Sequence, residues 1–169
     1  MEHVDAVANF FIEKAEESGC KDLSPMKLLK LMYYAQGWHL AVFDGNDLYQ
    51  DEIQAWQYGP VVPAVYREFR DFGNLPITRK AVELSWETLD EYYPTLSEDS
   101  QVTDFLGKVW DAYGKFTPIQ LSNKTHKPNT PWSKIHERYT PDPIPRGINI
   151  PKELITEYFC KVRRGEIQD

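Results

Sequence analysis

The sequence predicts a mainly α-helical fold: a single compact domain over residues 1–169, with a small β-hairpin or short antiparallel sheet after its central second helix. Three observations predict it. Apolar residues recur at three- and four-residue spacing over most of the chain, which is typical of amphipathic helices. Several of these segments begin with a Ser-Pro or Thr-Pro pair, the N-cap and first-turn residues that start helices. The alternation typical of strands is confined to a few short stretches.

The first two helices are predicted from their apolar residues and from the residues at their ends. Apolar residues at helical spacing from Val4 to Ala15 predict the first helix, and Gly19 is placed to end it in a left-handed conformation. The second helix is predicted over residues 25–43, with Ser24 as its N-cap. Apolar residues surround most of this second helix, so we expect it to be buried at the centre of the fold.

Short alternating stretches and a third helix follow. Residues Leu48–Tyr49 and Ile53–Trp56 predict the two strands of a hairpin, and Val82–Trp86 predicts a third strand of the same small sheet. The segment Asp90–Pro94 is predicted to be a loop. Between these stretches, apolar residues at helical spacing from Val62 to Phe72 predict an amphipathic helix.

The last third of the chain predicts four more helices. One covers Val102 to Tyr113, and the next begins at a capping box in which Thr117 and Gln120 satisfy each other's backbone N–H groups. A further helix starts after Thr130, and a last one starts at Pro151.

Composition and charge exclude several classes of protein. A net charge of -7 disfavours direct binding to nucleic acid, since that binding depends on clustered Lys and Arg. No apolar run approaches the ~20 residues that cross a bilayer, and no signal peptide is visible, so no membrane association is expected. Cys20 and Cys160 match no metal-binding spacing and are expected to be free thiols in a reducing compartment. These features predict a cytoplasmic protein.

No pattern of residues indicates an enzyme, a metal site or a cofactor. The four histidines are scattered, and the nine glycines stand singly rather than in a phosphate-binding loop. Nucleophile motifs are also absent. The sequence therefore predicts a non-enzyme without metal or cofactor.

His126 is the residue on which an enzymatic alternative would depend. A histidine titrates near neutral pH and could serve as a general base or as a pH-dependent contact. The structural alternative is a histidine at a helix C-terminus that bonds nearby carbonyl groups and packs on Trp132, which fixes the turn between two helices. The second alternative is favoured.

The block from Ile53 to Tyr66 is denser in aromatic, Gly and Pro residues than a connection between a strand and a helix requires. Aromatic side chains supply large contact areas with a polar group, and Gly and Pro stiffen the backbone that presents them. The block is expected to contact a protein partner, or to close the core over the small sheet. The candidate partner-binding residues are Trp56, Gln57, Tyr58, Gly59, Pro60, Tyr66, His126 and Trp132.

Three parts of the chain together resemble a known family. They are the run KLLKLMYYAQGW at residues 27–38, the run IQAWQYGPVVP at residues 53–63, and the pairs Thr125-His126 and Pro131-Trp132. In combination they resemble the SocA-like antitoxins, also called the Panacea domain and often labelled phage-associated protein. The resemblance extends over nearly the whole chain.

The resemblance implies a mostly helical antitoxin that neutralises a protein toxin encoded in the adjacent gene, by direct binding. It also implies that at least one branch of the family acts as an adaptor that delivers its toxin to a cellular protease. Two alternatives stay open: an enzyme of unrecognised type that uses His126, and a phage or mobile-element interaction protein without a toxin partner.

Overall fold

The computed structural model describes all residues 1–169 and confirms a mainly α-helical fold. Its seven helices are α1 (Val4–Glu17), α2 (Pro25–Val42), α3 (Pro63–Phe69), α4 (Ser100–Tyr113), α5 (Pro118–Thr125), α6 (Pro131–Tyr139) and α7 (Lys152–Arg163). A 3-10 turn, Arg70–Phe72, extends α3. No helix has the length and apolar character needed to cross a bilayer.

Helix α2 is the central helix, as predicted. It packs against α1, α3, α4, α5 and α7, and most of its residues are buried. Phe159 of α7 packs directly on Gly37, where an added Cβ would lie 2.1 Å from Cε2 of Phe159. Only glycine fits there, and the Phe159 ring fills the space that Gly37 leaves.

The residues predicted to end α1 and to cap α5 and α6 are confirmed in these roles, whereas other predicted helix ends differ from the structure by one or two residues. Gly19, after α1, has a φ of 69°, the left-handed conformation expected of a residue that ends a helix. Both bonds of the capping box are present at α5: Gln120 N donates to Thr117 Oγ1 at 3.2 Å, and Thr117 N donates to Gln120 Oε1 at 2.9 Å. Thr130 likewise accepts from Ser133 N at the start of α6.

The first hairpin exists, but its predicted pairing is wrong. Strand β1 (Gln54–Trp56) pairs with β2 (Gly59–Val61), joined by the two residues Gln57 and Tyr58, and not with Leu48–Tyr49. The side chain of Gln36 on α2 explains the difference, because its Oε1 accepts from the backbone N–H groups of Leu48 and Tyr49. Those residues therefore form a buried loop instead of a strand.

The predicted third strand belongs to a separate hairpin. Strands β3 (Glu83–Leu84) and β4 (Glu91–Tyr92) pair only with each other, so β3 does not join the first sheet and β4 replaces the predicted loop. The reason lies in Asn9 on α1, a buried residue whose side chain bonds the backbone of Ala81 and of Pro94. Asn9 thereby brings the two ends of this segment together on α1.

Candidate functional site

The turn that joins β1 to β2 lies over α5 and α6, and side chains from these helices bind its carbonyl groups. Trp132 Nε1 donates to the carbonyl oxygen of Trp56 at 2.7 Å. The next carbonyl, that of Gln57, lies 3.3 Å from Nε2 of His126. The His126 ring also packs on the Trp132 indole, with 3.9 Å between ring centroids. The two helices therefore hold the first half of the turn.

The second half of the turn is held in the same way. Ser122 Oγ on α5 donates to the carbonyl oxygen of Tyr58 at 3.0 Å. Lys30 Nζ on α2 donates to the carbonyl oxygen of Pro60 at 3.1 Å. Carbonyl groups on both strands and in the connection thus accept bonds from three different helices, which makes the turn a rigid element of the fold.

Gly59 allows this close packing. Its φ of 107° lies in the region that favours glycine, and an added Cβ would lie 2.7 Å from Thr125 Oγ1 and 2.9 Å from Lys30 Cε. Pro60 is buried beside it. Gly59 and Pro60, both predicted to contact a partner, are therefore buried parts of the turn's support, and so is Trp132, with 5% of its surface exposed.

Lys30 is a buried lysine that faces one hydrogen-bond acceptor. It is 1% exposed, and burial lowers the pKa of its amine from 10.5 to about 7. The amine contacts no carboxylate, since its bonding partner is the Pro60 carbonyl. A lysine in this environment loses its proton far more easily than one in water.

His126 has the geometry of a structural histidine. Its Nδ1 lies 2.6 Å from the carbonyl oxygen of Ser122, and its Nε2 faces the Gln57 carbonyl. A neutral ring donates to one of these two carbonyl oxygens, and both ring nitrogens lie against main-chain groups of the protein itself. The expected contact with Trp132 is present as well. This arrangement favours the structural alternative over a general base.

The exposed part of the site consists of the turn's side chains. Tyr58 is 61% exposed and Gln57 is also exposed, although their carbonyl groups contact the side chains of Ser122 and His126. Trp56 and Tyr66 are half-buried and pack edge to face, with 4.8 Å between ring centroids. These four side chains, rather than the buried members of the predicted set, are available to a partner.

A groove of about 720 Å³ continues from these side chains toward α6 and the segment 143–147. Trp56, Tyr66 and His136 contribute aromatic rings to its lining. Arg70 and Arg146 contribute two positive charges, and no carboxylate lines it. The turn and this groove together form a continuous surface, here called the turn face.

Sequence reasoning missed two residues that support the turn and two that line the groove. Lys30 and Ser122 looked like ordinary helix positions, and only the folded chain shows that they bind the turn's carbonyl groups. Arg70 and Arg146 both line the groove although they are far apart in sequence. One signal was present for Lys30, because it is a lysine on a helix that is apolar nearly all round.

A second cluster, formed by His3, Asp5 and Glu83, brings potential metal ligands within 4.8 Å of one another. His3 Nδ1 accepts a hydrogen bond from Asp5 N as the N-cap of α1, and its Nε2 lies 3.2 Å from Glu83 Oε1. With Nδ1 acting as an acceptor, the ring proton of a neutral His3 is on Nε2 and points at Glu83. The cluster is therefore a contact between α1 and β3, not a set of free ligands.

Comparison with known proteins identifies the class of this protein. The family model described as antitoxin SocA-like, Panacea domain, matches residues 28–133, and the chain belongs to this family. Among curated proteins it is similar to "Antitoxin SocA" of Caulobacter vibrioides (strain NA1000 / CB15N), with 30% identity over 130 residues. The matched region covers 77% of this chain and 68% of that relative. No solved structure matches the chain.

Proposed function

We propose that this protein is a cytoplasmic antitoxin that binds a cognate protein toxin directly and neutralises it. The observation that carries the proposal is membership of the antitoxin SocA-like family, whose model matches residues 28–133. That range includes the whole β1–β2 turn and the residues of α2, α5 and α6 that bind its carbonyl groups. The toxin is expected to be the product of the adjacent reading frame.

The geometry of the turn face supports binding as its role. Its backbone is held by bonds from three helices, so little conformational freedom is lost when a partner binds. Its side chains include Tyr58, Trp56 and Tyr66, and aromatic residues dominate the energetics of protein interfaces. A stable complex needs an interface of ~1,600 Å² in total. We propose that the exposed side chains of the turn face, Tyr58 above all, contact the toxin within such an interface.

The position of His126 weighs against the enzymatic alternative. Both ring nitrogens face carbonyl oxygens, and the ring packs on Trp132. A general base needs a free nitrogen within hydrogen-bond reach of the substrate. The proposed role of His126 is therefore to support the turn that meets the toxin.

Co-expression with the adjacent gene tests the proposal. The toxin gene is induced alone, with the wild-type antitoxin, and with the Tyr58→Ala variant. Growth should be restored by the wild type, and the two proteins should co-purify. Tyr58→Ala should weaken the complex at least about tenfold, because an exposed aromatic anchor is lost without a change in the fold. Failure of the wild type to restore growth or to co-purify would contradict the proposal.

A matched variant and one further measurement complete the design. Leu75→Ala removes an apolar side chain that is 65% exposed but lies outside the turn face, and it should leave neutralisation unchanged. The half-life of the toxin in these cells separates two mechanisms. An unchanged half-life indicates sequestration, whereas a shorter half-life indicates delivery to a cellular protease.

A further inference from the structure

The hairpin β3–β4 and the segment after it carry the entire net charge of the protein. Residues 81–107 contain seven acidic residues and no Lys or Arg. The remainder of the chain has 19 acidic and 19 basic residues and is neutral. The charge of -7 is therefore a local property of one segment, and it produces a local negative field rather than a uniformly acidic surface.

The same segment carries much of the exposed apolar surface. Five of the ten large exposed hydrophobic residues of the protein lie between residues 84 and 93, namely Leu84, Trp86, Leu89, Tyr92 and Tyr93. Trp86 is 88% exposed, more than any of the other nine. An exposed cluster of apolar side chains surrounded by charges is typical of an interaction site.

The hairpin is held rigidly at its base. Asn9 of α1 donates to the carbonyl oxygens of both Ala81 and Pro94 at 3.1 Å and accepts from Ala81 N at 2.7 Å. Next to this base, Lys80 forms an ion pair with Glu13 and lies over the Tyr93 ring. A two-stranded hairpin is marginally stable in isolation, so these contacts with α1 are what order it.

The tip of the hairpin is ordered as well. Ser85 N donates to the Asp90 carbonyl at 2.9 Å, and Leu89 N donates to the Ser85 carbonyl at 2.8 Å. Leu89 has a φ of 60°, a left-handed conformation that is costly for leucine. These bonds order the backbone of the segment that carries Trp86 and Leu89, which lowers the backbone part of the ordering cost of binding.

The segment that leads into the hairpin is joined to α3, the helix that carries Tyr66 of the turn face. Arg79, just before the hairpin, donates to the Glu68 carbonyl at 2.8 Å and lies over the rings of Phe69 and Phe72. Glu68 and Phe69 belong to α3, whose Tyr66 lines the groove of the turn face. The seven residues of α3 span about 10 Å, so the contact of Arg79 with this helix lies within about 10 Å of Tyr66 along the helix axis.

We propose that the hairpin of residues 81–94 is a second docking surface for the toxin, with Trp86 as its anchor in a basic, apolar pocket of that protein. The proposal rests on the proposed antitoxin function and adds the chemistry of the partner. Charge complementarity indicates which kind of partner binds here: a segment with seven acidic residues and no Lys or Arg attracts a basic protein and repels nucleic acid. The carboxylates speed the encounter, and the apolar side chains then slow dissociation.

Binding kinetics with the purified product of the adjacent gene test the proposal. Trp86→Ala should raise Kd at least about tenfold, mainly through faster dissociation, whereas Trp86→Phe should retain most of the affinity. Glu87→Gln with Glu91→Gln neutralises two carboxylates that form no ion pair. This double variant should lower the association rate about 3- to 10-fold at low salt, and the difference should vanish at high salt.

Matched variants and the oligomeric state define the outcomes. Glu137→Gln with Glu153→Gln removes the same charge from α6 and α7 and should leave the association rate within about twofold. If the wild type binds the toxin and Trp86→Ala binds equally well, this proposal is wrong and the antitoxin function stands. If the wild type does not bind at all, both are wrong. A wild-type dimer that Trp86→Ala converts to a monomer would make a second copy the occupant and also overturn the proposal.

Discussion

Replacement of Lys30 by methionine tests how the turn of residues 56–60 is supported. Lys30 is 1% exposed, and burial lowers its pKa from 10.5 to about 7. At about 1.4 kcal/mol per pKa unit, this shift corresponds to about 5 kcal/mol between the folded and unfolded states. That value is the largest pH-dependent change in the free energy of unfolding that Lys30 can produce.

The sign of the effect follows from proton binding. Between pH 7 and pH 10.5 the unfolded chain keeps the lysine proton and the folded chain has lost it, so the free energy of unfolding rises with pH. Below this window both states are protonated, and the folded state carries the full cost of a buried charge. Above it both states are neutral, and that cost is absent.

The Lys30→Met variant lacks this dependence. It also leaves the Pro60 carbonyl without its bond, which costs about 1 to 3 kcal/mol at any pH. The wild type should therefore gain stability relative to Lys30→Met by several kcal/mol as the pH rises through the window. At the low-pH end of the window the charge cost exceeds the cost of the lost bond by about 2 to 4 kcal/mol, so Lys30→Met should be the more stable protein there.

The assay is urea unfolding of both proteins, followed by tryptophan fluorescence from about pH 7 to about pH 10. All other titrating groups are shared by the two proteins, so the difference between their free energies of unfolding isolates Lys30. A difference that stays constant over this range would refute the reasoning, because it would mean that Lys30 keeps the same proton affinity in both states.

Two further substitutions test the positions of Gly59 and Asn9. Gly59→Ala should lower the free energy of unfolding by at least about 3 kcal/mol, because strain at positive φ adds to overlap with Thr125. Gly45→Ala is the control: Gly45 also has a positive φ, but the space around its Cβ is open. It should lower the free energy of unfolding by only about 1 to 2 kcal/mol in the same urea titration. Asn9→Ala should lower the free energy of unfolding by about 3 kcal/mol, since buried backbone groups lose their hydrogen-bond partner. It should also speed hydrogen exchange in residues 81–94. Exchange rates equal to those of the wild type would contradict the role assigned to Asn9.

Much of the helical structure could be predicted from local sequence. The capping box at Thr117 and Gln120 and the left-handed Gly19 depend on residues within one turn of each other. The burial of α2 could also be predicted, since a helix that is apolar nearly all round has no face to expose. Local rules cannot assign strand pairing. The predicted pairing of β1 with residues 48–49 is wrong because the side chain of Gln36 accepts hydrogen bonds from the N–H groups of those residues.

The candidate site also has a part that could be predicted from local sequence and a part that could not. The composition of residues 53–66 singled out the turn, but burial decided which of its residues a partner can reach. Gly59, Pro60 and Trp132 are internal supports, and Tyr58 is exposed.

The sequence by itself determined the helices, the local caps and the acidic composition of residues 81–107, because these depend on residues that are neighbours in the chain. Only the tertiary structure decided which side chains hold the turn, and that Asn9 folds the acidic segment into a hairpin with Trp86 at its surface. Such contacts join residues far apart in sequence, and they depend on how the helices pack rather than on any local pattern.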